Sequence, residues 1–348
     1  MLVVPGLSLR NLHPRVWDPN SPYYLPALRA IMVSYGDFHQ MPVHEDAAVK
    51  QGLRKFLSAP AHIQIFLDNG AFYFARKKGQ PDQRKYREFI RQAKPYWYPV
   101  RFDAIPIPQM NARKQRACYE QTMRFNRAYQ HDGYVPVIHV CSLLDEYVEA
   151  LKRNPQLLQK KSLALGGMVP NLLRSPKALG YDKILSGLQK VREEFPKKHL
   201  HVFGIGGTAT LHLAYLLGVD SIDSSGWRNR AARGIVQLPG TGDRSAVKFG
   251  NWRGRAPNKS EWDVLRNCRC PACKNFGVRG LKRRGIGGFC NRATHNLYVL
   301  LEEPSWLERQ TTSQSYDRRF RSRLDNSIYL PLLEKLVEAR SKSRNEKV

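Results

Sequence analysis

The stretch Gly218-Val219-Asp220-Ser221-Ile222-Asp223-Ser224-Ser225-Gly226-Trp227 reads as a short strand ending in carboxylates, then a glycine-containing turn that leads to Arg228 and Arg230. An acid at the last inward-facing position of such a strand stands at its carboxyl end, where (β/α) enzymes keep their chemistry. Asp223 is therefore the expected nucleophile. An aspartate at a strand end can equally do no more than cap the next helix, so its weight depends on what the rest of the chain supplies.

From Ala30 onward, short apolar runs alternate with segments of helical period, the βαβα signature of a parallel sheet. The runs expected to be strands are 30–34, 63–67, 99–102, 135–138, 162–165, 200–203, 219–222 and 234–238. This set suits an α/β fold closed as a (β/α)8 TIM barrel, although an open doubly wound sheet satisfies the same periodicity. Residues 1–29, rich in Pro, Asn and Tyr without a sustained period, read as an irregular arm lying over the body, and no functional reading attaches to them.

The residues just past the runs are Asp68-Asn-Gly-Ala-Phe72, Asp103, His139, Gly166-Gly167, Gly204-Ile-Gly-Gly207 and Asp223. In a barrel they converge on one rim and surround one pocket with three carboxylates, an imidazole and bare glycine backbone. Taken singly, each glycine pair is a tight turn. The segment at Gly204 lacks the spacing of a dinucleotide fingerprint, which sets a nicotinamide enzyme aside.

With 57 Lys+Arg against 29 Asp+Glu, the 348 residues carry a formal charge of +28, which calls for a polyanionic partner. Nucleic acid fits better than membrane, since no apolar run approaches the ~20 residues of a spanning helix. The apolar start is too short for a signal peptide, so the expected location is cytoplasmic. Cysteines crowd at Cys268-Arg-Cys270-Pro-Ala-Cys273, and His295 follows 22 positions after the last of them. Three thiolates on a tight loop and an imidazole heading a following helix make a closed tetrahedral Cys3His site of the structural zinc type. Cys290 is the alternative fourth ligand. Between Val264 and Leu300 there is no acid and there are eight Lys/Arg. Of these Lys282, Arg283 and Arg284, with Arg228 and Arg230, are the expected phosphate contacts; a merely solvated basic loop is the plainer reading. The expected organisation is an arm over 1–29, the main part of the barrel over 30–250, a zinc-binding basic subdomain over 251–303, and a C-terminal helix and basic tail over 304–348.

Together, Asp68-Asn-Gly-Ala-Phe72, Leu165-Gly-Gly167, Phe203-Gly-Ile-Gly206, Gly218-Val-Asp-Ser-Ile-Asp223 and the Cys-x-Cys-x-x-Cys with its distant His-Asn-Leu resemble the tRNA-guanine transglycosylase superfamily over roughly residues 60–300. The resemblance implies a (β/α)8 barrel with a zinc subdomain and exchange of a guanine in nucleic acid for a 7-deazaguanine. It makes Asp223 the nucleophile, Asp68 the acid/base and Asp103 the reader of the guanine edge. Gly166 and Gly167 contact the base, with Gly204 in the same pocket, and Phe72 and Phe203 sandwich it. The departures are Asn69 where the tRNA enzymes carry Ser, His139 where they carry Gln, and Ser224-Ser-Gly-Trp227 in place of a Pro-Thr-Arg turn. They make the chain look more like the DNA-modifying, DpdA-like branch, which inserts 7-cyano-7-deazaguanine. DNA is therefore the expected partner, tRNA the alternative, and His139 is expected to help select the incoming base. A helicase-like or other modification-system partner and a homodimer remain open.

A non-catalytic zinc-containing nucleic-acid-binding protein is the rival reading, but it leaves Asp68, Asp103 and Asp223 as coincidences. A nuclease or zinc deaminase is a second enzymatic rival, but the Cys3His set here has no nearby His-x-Glu to give the metal a catalytic partner.

Overall fold

The computed structural model describes residues 1–75, 82–172, 175–240, 242–249, 254–325 and 327–345. Among the described residues the strands are β1 (Leu2–Pro5), β2 (Ala30–Ser34), β3 (Gln64–Asp68), β4 (Val137–His139), β5 (Ser162–Gly166), β6 (His199–Val202), β7 (Ser221–Ser224), β8 (Ile235–Leu238) and β9 (Gly242–Ser245). The protein is a mixed α/β structure with a five-stranded sheet of order β1-β7-β6-β5-β4, a sheet of β2 and β3, and a separate β8-β9 pair. All pairs in the first two sheets are parallel. The residues Ile31–Val33, Ile65–Leu67 and Leu163–Leu165 are buried without a break, as expected of strands covered on both faces.

Single parallel bridges join these ladders: Gly6 to Met32, Phe66 to Trp97, and Pro99 to Val135 just ahead of β4. Followed through them, parallel neighbours run from β4 through β5, β6, β7, β1, β2 and β3 to the extended segment at 97–99, and from there back to β4. Several of the intervening helices bury an apolar stripe. In Gln83–Ala93 the buried positions are Tyr86, Phe89, Ile90 and Ala93, and Asp82 caps the start by accepting from the Arg84 N–H at 2.8 Å.

Three expectations change. The segment 99–102 takes part only through bridges at Trp97 and Pro99 and forms no ladder of its own. The run 234–238 does form a strand, but antiparallel to β9 and outside the parallel sheets. Its expected place is taken by β1 from the supposed irregular arm, which pairs along β7 with Val4 opposite Asp223. A strand of four residues, Leu2–Pro5, has too little length to show a period. The arm is also core: Val4, Val16 and Trp17 are fully buried, and the Trp17 indole N–H donates to the Leu57 carbonyl at 3.0 Å.

A smaller cluster of Val236, Leu238, Leu265, Cys270, Ala272, Cys273 and Leu281 backs β8 against the cysteine loop. His295 does not head its helix but sits well inside Gly285–Thr312, a 28-residue helix that also crosses the expected boundary at 303. The C-terminal helix Leu330–Asn345 buries Leu333 and Val337. Among the described residues, no helix is long and apolar enough to cross a membrane. If the arm is part of the core, Trp17→Ala should cost about 3–5 kcal/mol. A urea unfolding curve would read this, whereas a loose arm would lose almost nothing.

Candidate active site

The carboxyl ends of parallel strands point the same way, so the residues that close them meet. Asp68 ends β3, His139 ends β4, Gly166 ends β5, Gly204 is the second residue past β6, and Asp223 lies one short of the end of β7. Together with Asp103 they line a cavity of about 530 Å³, whose walls also include Phe72, Gly167, Phe203 and Arg230. This volume suits a small planar ligand plus part of a sugar.

Each acid has its own donors. The Asp68 Oδ2 accepts from the Ser34 hydroxyl at 2.8 Å and from the Gly70 N–H at 3.0 Å. Desolvation nonetheless raises its pKa to about 6; the Ser34 bond pulls the other way, and the negative charges of Asp223 and Asp103 add to the rise. The Asp103 Oδ1 accepts from the Asn69 side-chain amide at 2.6 Å, and its Oδ2 lies 3.1 Å from the His139 Nε2. The Asp223 Oδ1 accepts from the Gly204 N–H at 2.9 Å.

Two glycines are required by this geometry. Gly204 has φ +75° and a Cβ there would come within 2.5 Å of Val169, so only glycine can aim that N–H at Asp223. At Gly166 a Cβ would lie 2.6 Å from the His139 Nδ1, so the imidazole occupies the space that a side chain would fill. His139 is fully buried, which puts it behind Asp103 more than in front of a ligand. Asn69 is similarly engaged: its amide also donates to the Val100 carbonyl at 2.7 Å, and its Oδ1 accepts from the Ala71 N–H at 2.9 Å. The residues at two departures from the family pattern, Asn69 and His139, therefore both touch Asp103. Phe72, by contrast, is 48% exposed at the cavity wall.

The expected basic contacts divide. Arg228 is buried, with its guanidinium donating to the His13 carbonyl at 2.7 Å and the Asn11 carbonyl at 2.5 Å, so it ties down the arm and is not a free phosphate contact. Sequence alone could not distinguish it from its neighbours, since burial of an arginine is decided by which carbonyls the fold brings up. Arg230 lines the cavity and pairs with Asp243 at 2.7 Å. Lys282, Arg283 and Arg284 are exposed. The Lys282 ammonium sits 4.4 Å from the Trp262 ring centre, and the Arg284 guanidinium 5.8 Å from that of Phe249.

The metal-ligand candidates also come together. One donor atom from each of Cys268, Cys270, Cys273 and His295 lies within 4.8 Å of the others, and Cys290 is not in the group. The His295 Nε2 lies 2.8 Å from the Gln237 carbonyl, which can only accept, so Nε2 carries the proton and the Nδ1 lone pair faces the sulfurs. Next to it, Asn296 accepts from the Gln237 N–H at 2.7 Å and donates to the carbonyls of Ile235 and Trp227 at 3.0 and 3.2 Å. The His-Asn pair thus locks the cysteine loop, β8 and the turn after β7 together. The arrangement is compatible with a structural metal ion.

No family model matches the chain. A queuine tRNA-ribosyltransferase of Protochlamydia amoebophila is 27% identical over 177 residues, covering 44% of this chain and 44% of the relative. The chain thus matches less than half of that protein's length. The match supports the resemblance to the tRNA-guanine transglycosylase superfamily.

The placement of Arg228 is testable. Arg228→Ala should lower stability by about 1–3 kcal/mol, because buried carbonyls lose their donors. The salt dependence of nucleic-acid binding should not change, and a flatter slope would return Arg228 to the phosphate contacts.

Proposed function

We propose that the protein is a guanine transglycosylase that exchanges a guanine in nucleic acid for a 7-deazaguanine through an aspartyl–glycosyl intermediate. The observation that carries this is the convergence of Asp68, Asp103 and Asp223, each differently hydrogen-bonded, on one cavity of about 530 Å³. The name of the matching relative, a tRNA-ribosyltransferase, agrees with base exchange on a nucleic acid.

In this reading Asp223 attacks C1′ as the bond from C1′ to N9 of guanine breaks, and the guanine leaves with the bonding pair. Asp68, whose pKa is raised to about 6, gives its proton to the departing base. The incoming 7-deazaguanine returns a proton to the Asp68 carboxylate and displaces Asp223 from C1′, restoring the original configuration. Asp103, oriented by Asn69 and His139, accepts from the N–H groups of the guanine edge. Phe72 and Phe203 stack on the base, and the backbone at Gly166 and Gly167 contacts it. A base inside a duplex must first be flipped out, at a cost of a few kcal/mol, and Arg230, Lys282, Arg283 and Arg284 would offset that cost at the phosphates.

Of the two polymers we place DNA first, with 7-cyano-7-deazaguanine as the inserted base. Asn69, His139 and the Ser224-Ser225-Gly226-Trp227 turn carry that choice. The relative's tRNA activity makes tRNA the second reading. The metal is proposed to be zinc, held for structure. A tetrahedral ion with zinc bond lengths separates a nitrogen from a sulfur ligand by about 3.5 Å. The His295 Nδ1 lies 3.4, 3.8 and 3.5 Å from the sulfurs of Cys268, Cys270 and Cys273.

The deciding experiment incubates the protein with DNA or tRNA carrying radiolabelled guanine and then adds unlabelled 7-cyano-7-deazaguanine or queuine. Release of label from DNA is expected; release from tRNA alone selects the second reading, and release from neither ends the proposal. Asp223→Asn should abolish an adduct that survives denaturation. In the wild type the first-half rate should fall as pH rises through about 6, because Asp68 must be protonated to release guanine. The second half should rise over the same range, and an adduct-forming rate that climbs with pH would remove Asp68 from the acid role.

Stringent chelation should release one zinc per chain and unfold the cysteine loop, since binding energy at such a site is folding energy. Circular dichroism together with metal analysis reads this, and full folding without metal would show the cluster to be unmetallated thiols.

A further inference from the structure

The strands β6 and β7 pair in parallel, with His201 opposite Ser221 and Val202 opposite Ile222. Side chains two apart on a strand share a face. His199 and His201 therefore share one face of β6, and Ser221 and Asp223 share one face of β7. Their side chains interleave across the pair. The His199 Nε2 is 2.8 Å from the Ser221 Oγ, that oxygen is 2.9 Å from the His201 Nδ1, and the His201 Nε2 is 3.4 Å from the Asp223 Oδ1. His201 and Ser221 have no exposed surface. The ring centres of Phe66, Trp97 and Phe203 lie 5.9, 4.8 and 4.9 Å from that of His201. Its Nε2 is buried and forms no hydrogen bond as it stands; the Asp223 Oδ1 faces it at 3.4 Å, a contact of the kind that aligns and tightens when substrate seats the carboxylate.

The direction of this chain follows from its last member. An ionised carboxylate only accepts, so the His201 Nε2 must carry the proton. A neutral imidazole then has a bare Nδ1, to which the Ser221 hydroxyl donates its single proton. The serine oxygen is left to accept, and His199 donates to it. We infer that His199, Ser221 and His201 form a one-way hydrogen-bond chain that fixes the His201 tautomer and holds the Oδ1 of Asp223. The oxygen that attacks C1′ is then Oδ2. The inference rests on the proposed role of Asp223 as nucleophile. Oδ1 already accepts from Gly204 and faces His201, whereas no described residue donates to Oδ2. His201 and Ser221 are thus positioning residues. In the attack, the Oδ2–C1′ bond forms as the C1′–N9 bond breaks, and the chain keeps its protons.

The test joins a tautomer measurement to a double-mutant cycle. Nitrogen-15 NMR of the wild-type protein should show His201 neutral with its proton on Nε2, and Ser221→Ala should mix the tautomers. A proton on Nδ1 in the wild type would overturn the chain whatever the activity. In single turnover on guanine-containing nucleic acid, Ser221→Ala should slow adduct formation about tenfold, the scale of one lost buried hydrogen bond, without changing substrate Kd. His201→Gln, whose amide donates without a tautomer choice, should stay within a few-fold of wild type, and adding Ser221→Ala to it should do little more. An equal Ser221→Ala effect in both backgrounds, or a change confined to Kd, would assign the chain to packing. If Ser221→Ala does not fold, Ser221→Cys, of nearly the same size and only a weak donor, is read in the same way. A wild type that shows the Nε2 tautomer but forms no adduct would instead overturn the transglycosylase reading and leave the chain standing.

Discussion

Like charges gathered in a partly dry space repel one another and lose water, and this constraint explains much of the arrangement around the cavity. Three carboxylates can share it only if each is given donors from a different direction. Asp68 draws on Ser34 and Gly70, Asp103 on Asn69 with His139 beside it, and Asp223 on Gly204 with His201 beside it. None of these donors serves two acids. At Asp68 the supply does not match the desolvation, and the pKa settles at about 6, within reach of a proton-transfer role near neutrality.

Holding those donors in place requires strands that do not slip. β7 is gripped on both edges, by β1 along its whole length and by β6 over its first half. Past its end, Asn296 takes hold of the Trp227 carbonyl, and the same side chain clamps both Gln237 and Ile235 of β8. The neighbouring His295 faces the cysteine sulfurs. A cation bound there would stiffen the turn that follows Asp223 as well as the basic loop from Lys282 to Arg284, which links the Cys3His group mechanically to the cavity.

The basic excess is also more structured than a count of charges implies. Arg228 is spent on the arm, Arg292 donates to the Ala231 and Leu281 carbonyls at 2.9 Å, and Arg244 pairs with Glu261 at 2.8 Å. What faces solvent near the cysteine loop is a subset, with Lys282 and Arg284 over aromatic rings. Such cations are pre-ordered by their rings while their donors stay available.

The sequence by itself determined the features that depend on spacing and residue type. The alternation of apolar runs with helical segments marked an α/β chain, Cys-x-Cys-x-x-Cys with a distant His marked the metal-ligand set, and Asp68, Asp103 and Asp223 could be named because each ends an apolar run. Tertiary structure decided what depends on distant partners. It recruited Leu2–Pro5 as the edge of β7 and sent 235–238 into an antiparallel pair, because strand order is a property of neighbours and not of the strand. It buried Arg228 and turned His139 toward Asp103. It also made a chain of His199, Ser221, His201 and Asp223, whose H-x-H and S-x-D spacings are visible in the sequence but acquire meaning only when register sets the two strands side by side. Periodicity says which face a residue occupies; only pairing says what stands opposite.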